Sequence, residues 1–431
     1  MEKISNWGKF PIVNAEQTSL IDYKKISEYV KHTENFIPRG AGKSYGDCSL
    51  SKNIFSTLNL NKIVNLQLDK KTITCESGTL LSEILDKIVP HKLFLPVVPG
   101  TKHITLGGAI AANIHGKNHH KDGAFGQFVD SVELMNESGE IVFCSREVNT
   151  ELFSSTIGGM GLTGIILKAT IQLISIKSSF IDELSIKAKN IDELITLFDN
   201  HKNYHYSVAW IDCLSKGENL GRSILKLGEH SFTDDKKVQV HKSQNRKLLV
   251  IPSIFPSFLL NSFTIKCFNF LYFNKQTKKE KSKTIHYDSY FFPLDKIKNW
   301  NNIYGKKGFM QYQFVIPFEN GKIALKEILS KISGSQTASF LAVLKTFGPK
   351  EIHSSKLSFP EKGYTLALDF KYNSKNLVLL DELDKILLKF GGKIYLAKDA
   401  RMSKETFQKS YTQVVEHSNK FSSLQSERLG I

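Results

Sequence analysis

Three glycine-rich segments and a run of histidines carry the residue types from which a binding or catalytic site is built. The first, Pro38-Arg39-Gly40-Ala41-Gly42-Lys43-Ser44-Tyr45-Gly46-Asp47, holds a Gly-Lys-Ser triplet. A phosphate-binding P-loop needs a glycine five residues before the glycine of that triplet, and Ile37 stands there. A polar stretch follows instead of a helix, which argues against an NTPase. The second, Gly159-Met160-Gly161-Leu162-Thr163-Gly164, is a literal GxGxxG. A Rossmann fingerprint follows a strand and opens a helix, whereas this one precedes a β-branched run, so that reading is discarded. The third runs from Pro99 through Gly107, Gly108 and His115 to His120. Its small residues let backbone N–H groups approach a ligand closely. Those at 107–112 are expected to begin a helix whose positive end faces a pyrophosphate. His115, His119 and His120 raise a metal-site alternative, but no HExxH pattern or neighbouring carboxylate set accompanies them. The ligand cradle is the preferred reading.

The elements that must position these loops are legible in outline. Residues 63–68 and 72–77 read as two strands joined by Asp69-Lys70-Lys71, and 129–134 and 140–144 as a second hairpin around Ser138-Gly139. Leu81, Ile84, Leu85 and Ile88 have helical spacing, and 164–174 is a β-branched run. From about 178 to 391 strand-like pieces at 206–211, 308–316 and 364–372 alternate with helical patterns at 322–333 and 377–390. This predicts an α+β chain whose second domain is an antiparallel sheet covered by helices. A further helix starts at Lys404.

Composition narrows the classes. At 431 residues and 41% hydrophobic content the chain suits two or three globular domains. Five scattered cysteines without a CxxC pair argue against a disulfide framework. No secretory signal is readable at the start, so the cytoplasm is the expected compartment. The net charge of +16 favours anionic partners, although dispersed lysines explain it as well. No nucleic-acid module accompanies it. Residues 248–273 are apolar but interrupted by Pro252, Pro256, Asn261 and Lys266, which rejects a membrane span. Lys242, Arg246 and Lys247 precede this stretch and Lys275, Lys278, Lys279, Lys281 and Lys283 follow it. An apolar loop between lysine clusters suits an anionic membrane surface, giving a contact at 248–283 at the inner face of the membrane. The preferred reading is the plainer one, a core-packing segment beside a solvated basic loop.

Taken together, P-R-G-x-G-x-S-Y-G-D, then P-G-T, L-G-G-A-I-A and I-H-G-K-N-H-H, then G-G-x-G-L-T-G-I-I are far more specific than any one of them. The combination resembles the FAD-binding (PCMH-type) domain of the vanillyl-alcohol-oxidase family, and within it the branch that oxidises polyprenylphosphoryl pentoses for cell-wall arabinan precursors. The likeness continues through Y-S-V-A-W near Trp210, G-F-M-Q-Y-Q-F-V-I-P at 308–317, L-K-T-F-G-P at 344–349 and A-K-D-A-R at 397–401. It implies an FAD domain built from residues 1–177 and 393–431, with a substrate domain at 178–392. The chemistry implied is oxidation of a sugar secondary alcohol, the hydride passing to flavin N5.

By that resemblance Arg39, Gly40, Ala41, Gly42, Lys43, Ser44 and Tyr45 wrap the pyrophosphate. Gly100, Thr101, Thr105, Gly108, Ala112, Ile114, His115, Gly116, Ile165, Tyr395 and Lys398 complete the FAD site. Lys117, Trp210, Gln311, Gln313, Lys345, Thr365 and Ala367 match substrate-side positions. Gln311 and Gln313 also have strand period two, so they equally suit a shared polar sheet face. Lys398 is the expected catalytic residue, stabilising anionic reduced flavin or accepting the hydroxyl proton; Tyr45 and His115 compete for the base role. Many relatives attach FAD through a histidine where Lys43 stands, so the FAD is expected to be non-covalent. The chain departs from the branch at Ala367, Thr365 and Phe291, where a Cys, an Asn and a Tyr are usual, and at Leu424, where an acid is. An NAD(P)H-dependent reductase would complete an epimerisation. The alternatives are an aldonolactone or alditol oxidase acting on a soluble sugar and, in another class, a non-enzymatic protein binding metal through its histidines.

Overall fold

The computed structural model describes residues 1–232, 249–253, 255–335, 337, 339, 341–348, 353–412 and 420–431. Lys242, Arg246, Lys247, Leu248 and Pro349, all named above, lie outside the described residues. The fold is α+β. Its N-terminal unit holds two sheets. One has four strands, Glu2–Ser5, Ile12–Thr18, Asn53–Ser56 and Phe36–Arg39 in spatial order. The other has five, Ile63–Gln67, Thr72–Glu76, Ile165–Gln172, Val129–Met135 and Ile141–Ser145. Both expected hairpins are there, antiparallel, and the helix Leu81–Ile88 buries Leu81, Ile84, Leu85 and Ile88 on one face. Burying four apolar side chains at helical spacing is what holds so short a helix in place.

The remainder is organised by one eight-stranded sheet. Its spatial order is Glu280–His286, Phe180–Ala188, Ser223–His230, Tyr206–Ile211, Ala342–Phe347, Gly363–Lys371, Phe309–Ile316 and Lys393–Ile394. Period two divides its faces. Met310, Tyr312, Phe314, Leu366, Leu368, Leu344, Ala209 and Ile211 join the core that packs against helices Ile191–Asn200, Phe318–Ser335 and Ser374–Lys389. The alternate residues, among them Gln311, Gln313, Lys345, Thr365 and Asp369, face the other way, towards the N-terminal unit.

The C-terminal segment lies against both units. Lys393–Ile394 is the sheet's edge strand, and beyond it Phe421 bridges Phe36. Arg428 Nη2 reaches Asp47 Oδ1 and Asp399 Oδ2, each at 2.9 Å. The segment expected to pack into the core contains instead the helix Ser262–Asn274, which buries only Ile265 and Asn269. Among the described residues no helix is long and apolar enough to cross a membrane.

Candidate active site

A cavity of about 770 Å³ opens between the N-terminal unit and the large sheet, and all three glycine-rich segments line it. The first contributes Arg39, Gly40, Ala41, Gly42, Lys43, Ser44 and Tyr45; the third Gly100, Thr101, Thr105, Gly108, Ala112, Ile114 and His115. The GxGxxG set aside as a Rossmann fingerprint lines it too, through Met160, Gly161 and Gly164. That segment works as a turn: φ is +83° at Gly161 and +145° at Gly164, values that favour glycine.

The first loop is shaped to admit an anion. Among the described residues the backbone N–H groups of Gly40, Ala41, Gly42, Lys43 and Ser44 donate to no backbone carbonyl. A Cβ on Gly40 would stand 2.1 Å from Thr105 Oγ1, so only glycine fits there. Arg39 Nε and Ser77 Oγ, both on the cavity wall, are buried without a partner among the described residues. Buried polar groups are ordinarily paired, so the wall calls for a polar ligand. Lys43 rests its ammonium 4.0 Å from the centre of the Trp7 ring, and burial lowers its pKa. One expectation needs correcting. The N–H groups opening helix Leu106–Ala111 are already taken: Leu106 donates to Thr79 O, Gly107 to Ser77 O and Gly108 to Thr105 Oγ1. That helix end is therefore not open to a pyrophosphate, whereas the backbone amides of the 40–44 loop are not engaged by backbone carbonyls among the described residues.

At the far end Tyr45, His115, Gln311, Gln313, Lys345, Tyr395 and Lys398 converge. Lys398 Nζ lies 3.9 Å from the centre of the Tyr45 ring, and burial lowers its pKa to about 8 against the pull of Asp369. Burial, then the Lys398 charge, lowers Lys345 to about 7. Burial holds Tyr45 well above the usual phenol range and His115 well below the usual imidazole range. His115 Nδ1 is 2.9 Å from Lys345 Nζ and its Nε2 is 2.8 Å from Gln313 Nε2. A neutral imidazole has one N–H, so it cannot accept from both. Either Lys345 is the free amine and accepts from Nδ1–H, or Gln313 turns its amide oxygen to Nε2–H.

Several expected residues lie elsewhere. Ile165 is buried in the cluster with Ile26 and Phe36, and Ile166 faces the cavity instead, because neighbours on a strand point to opposite sides. Gly116 is off the cavity wall; a Cβ there would stand 2.4 Å from Asn118 Oδ1, so its role is tight packing. Lys117, Trp210, Thr365 and Ala367 are also off it. Lys117 is buried against Tyr290, 4.1 Å from that ring's centre, and burial lowers its pKa to about 7. Thr365 accepts from Gln313 Nε2 at 3.3 Å. Strand register explains the others: Gln313 pairs with Ala367, Ala367 with Val343 and Val343 with Trp210. They form one row across four strands, about 14 Å long at ~4.8 Å per strand. Phe291 is fully buried beside Tyr206, Tyr290 and Phe94, and Leu424 packs on the main core. The histidines diverge: His119 Nδ1 accepts from Gly348 N at 3.1 Å and His120 Nε2 meets Tyr204 O at 2.9 Å. Among the described residues no group of three or more His, Cys, Asp or Glu is gathered as metal ligands.

Sequence reasoning missed Asp369. It is fully buried, accepts from Gln311 Nε2 at 2.6 Å and from Tyr304 OH at 3.3 Å, and burial raises its pKa to about 7. Its signal was available, since it lies two residues beyond Ala367 on the same strand face. Trp7, Asp295 and Trp300 also line the cavity, and no pattern announces them.

The comparisons agree with this geometry. A family model described as an FAD binding domain matches residues 18–145. Decaprenylphosphoryl-beta-D-ribose oxidase of Mycolicibacterium smegmatis is 34% identical over 429 residues, covering 96% of this chain and 92% of that protein. L-gulonolactone oxidase of Scyliorhinus torazame is 29% identical over 207 residues, 46% of each chain. Cytokinin dehydrogenase 2 of Arabidopsis thaliana is 29% identical over 160 residues, 36% of this chain and 32% of that one. The cavity fits the cofactor: among the described residues the amides at 40–44 donate to no backbone carbonyl and Arg39 Nε has no partner, which suits a pyrophosphate, and the glycines admit close approach. The chain therefore belongs to the family of FAD-dependent oxidoreductases that includes decaprenylphosphoryl-ribose oxidase.

Proposed function

We propose that this chain oxidises a sugar secondary alcohol to the ketone, its substrate being the 2′-hydroxyl of a polyprenylphosphoryl pentose, as half of an epimerisation. The observation that carries the reading is the meeting of Lys398, Lys345, His115 and Gln313 at one end of the FAD cavity, from which the row to Trp210 leads away. The relative matched over nearly the whole chain is named for a substrate of that kind. FAD held by the loops that line the cavity would supply the acceptor for the hydride of the carbinol carbon.

The chain's own groups then have distinct tasks. Lys398, desolvated to about 8, is partly neutral near physiological pH and accepts the hydroxyl proton at Nζ. Tyr45 keeps its phenolic proton and acts as a donor and a wall, because burial makes the phenolate inaccessible. His115 stays neutral and holds Gln313 and Lys345 in register. The amides of Gln311 and Gln313 orient ring hydroxyls, while a bound phosphate would hold Lys345 and Lys117 in the charged form that burial otherwise disfavours. Trp210, Thr365 and Ala367 line the path along the sheet.

FAD is held without a covalent bond, since Lys43 lacks the ring nitrogen by which a histidine attaches the flavin. Residues 1–177 and 393–431 serve the cofactor and 178–392 the substrate. The ketone passes to an NAD(P)H-dependent reductase. A lipid-linked substrate also calls for peripheral contact with a membrane.

An anaerobic screen of FAD reduction tests the reading. Bleaching by a polyprenylphosphoryl pentose is the expected result. Bleaching by a soluble alditol or aldonolactone, and not by the lipid-linked sugar, overturns the substrate and leaves the reaction class.

A further inference from the structure

We propose that helix Ser262–Asn274 and the turn before it form a docking surface for an anionic lipid bilayer, and that the docked bilayer presents the lipid-linked sugar to the sheet row at Trp210. The helix is inside out. Its inward residues are Ile265 and the polar Asn269, whose Nδ2 donates to Asp212 Oδ1 at 2.7 Å. Phe263, Phe270 and Leu271 point outward, exposed by 75%, 57% and 67%. Their spacing, with Cys267 and Asn274 between and after them, sets them along one side of the helix. Phe258, in the preceding turn, is 74% exposed. A contiguous apolar surface on a folded protein marks a binding site, and isolated exposed residues do not.

Charge selects the occupant. Between residues 249 and 283 stand six lysines and one acid, Glu280. Lys266 sits within the apolar helix, and it lines a groove with Lys216, Phe263, Phe270 and Leu271. Phenylalanines and leucine among lysines match the headgroup boundary of an anionic membrane, where apolar side chains enter and ammonium groups meet phosphates. A protein partner of the same chemistry would need its own acidic, apolar face.

The position gives the surface its use. The inner side of the same helix carries Tyr272, whose ring lies 4.7 Å from that of Trp210 and 5.9 Å from Lys226 Nζ. Trp210 lies on the row that starts at Gln313 in the cavity. One helix thus faces the bilayer on one side and the substrate path on the other. The inference rests on the lipid-linked reading for its purpose, but vesicle binding needs no sugar, so the two fail separately.

The test is co-sedimentation of the FAD-loaded full chain with two vesicle types, phosphatidylcholine alone and phosphatidylcholine mixed with phosphatidylglycerol. Binding to the mixed vesicles and weak binding to the neutral ones are expected. Phe263→Ser with Phe270→Ser should weaken partitioning by about tenfold for each phenylalanine, and Lys266→Glu should weaken binding to the anionic vesicles. Both variants should keep bound FAD and its reduction by a water-soluble substrate analogue, because the residues are exposed and remote from the cavity. A wild-type chain that ignores anionic vesicles, or a double variant that binds them equally, overturns the proposal. So does sedimentation showing a dimer that the phenylalanine variants dissociate while vesicle binding is absent, since a second copy would then cover this face.

Discussion

Replacing Asp369 by Asn removes one buried charge near Lys398, the residue proposed to accept the proton, and almost nothing else. The amide has nearly the same size and can still accept from Gln311 Nε2, now 2.6 Å from Oδ1. What is lost is the negative field that raises the Lys398 pKa against burial. For two unit charges taken at ~7 Å, just beyond ion-pair contact, an effective dielectric of ~20 gives roughly 2.4 kcal/mol. Interior relaxation and the FAD itself reduce this, leaving a shift on the order of one pK unit. If Lys398 Nζ accepts the proton, FAD reduction quickens as pH rises through its pKa near 8. In the variant that rising limb should move about one unit towards lower pH. Anaerobic stopped-flow bleaching of FAD across a pH series measures it. A limb that stays in place, moves upward, or falls with rising pH refutes the reasoning, the last by showing that Lys398 acts as a cation. Stability provides an independent sign. Burial raises the Asp369 pKa from 3.8 to about 7, so the folded state holds a proton that the unfolded state has released between those values. Wild-type stability therefore falls as pH rises through that window, and the Asn variant should lack this part of the fall in thermal melts.

Other outcomes follow from the same geometry. Lys398→Ala should retain FAD absorbance yet slow its reduction by substrate at least ~100-fold; full-speed reduction removes Lys398 from the chemistry. Gly40→Val should weaken FAD binding to the apoprotein by tenfold or more in a fluorescence titration, because its Cβ must share space with Thr105 Oγ1 at 2.1 Å. Arg428→Ala leaves the buried carboxylates of Asp47 and Asp399 without their shared counter-charge and should cost about 3–5 kcal/mol in denaturant unfolding. Acid precipitation should release FAD into the supernatant; yellow pellets would show a covalent link despite Lys43.

The elements with strong local patterns were legible in the chain. Strand Tyr206–Ile211 and helices Leu81–Ile88 and Ser374–Lys389 follow from apolar period. The loop at Gly40–Asp47 was legible from its glycines, which are needed for close approach. The segment 248–273 was misjudged as core packing because its composition is that of a buried stretch. Hydrophobicity states what a residue would bury, and the neighbours decide whether anything is there to bury it. Ile165 was misplaced by a single position, which on a strand reverses the side.

By itself the sequence pointed to glycine-rich loops able to cradle a ligand, since that depends on backbone freedom and residue type within a few positions, and its resemblance to a known family supplied the cofactor class. Only the tertiary structure decided which charges share the catalytic end. Lys398, Lys345, His115 and Asp369 come from four distant stretches, and their altered proton affinities arise from common burial and mutual repulsion or attraction. The row from Gln313 to Trp210 is likewise a product of strand register, a non-local pairing that no single segment encodes.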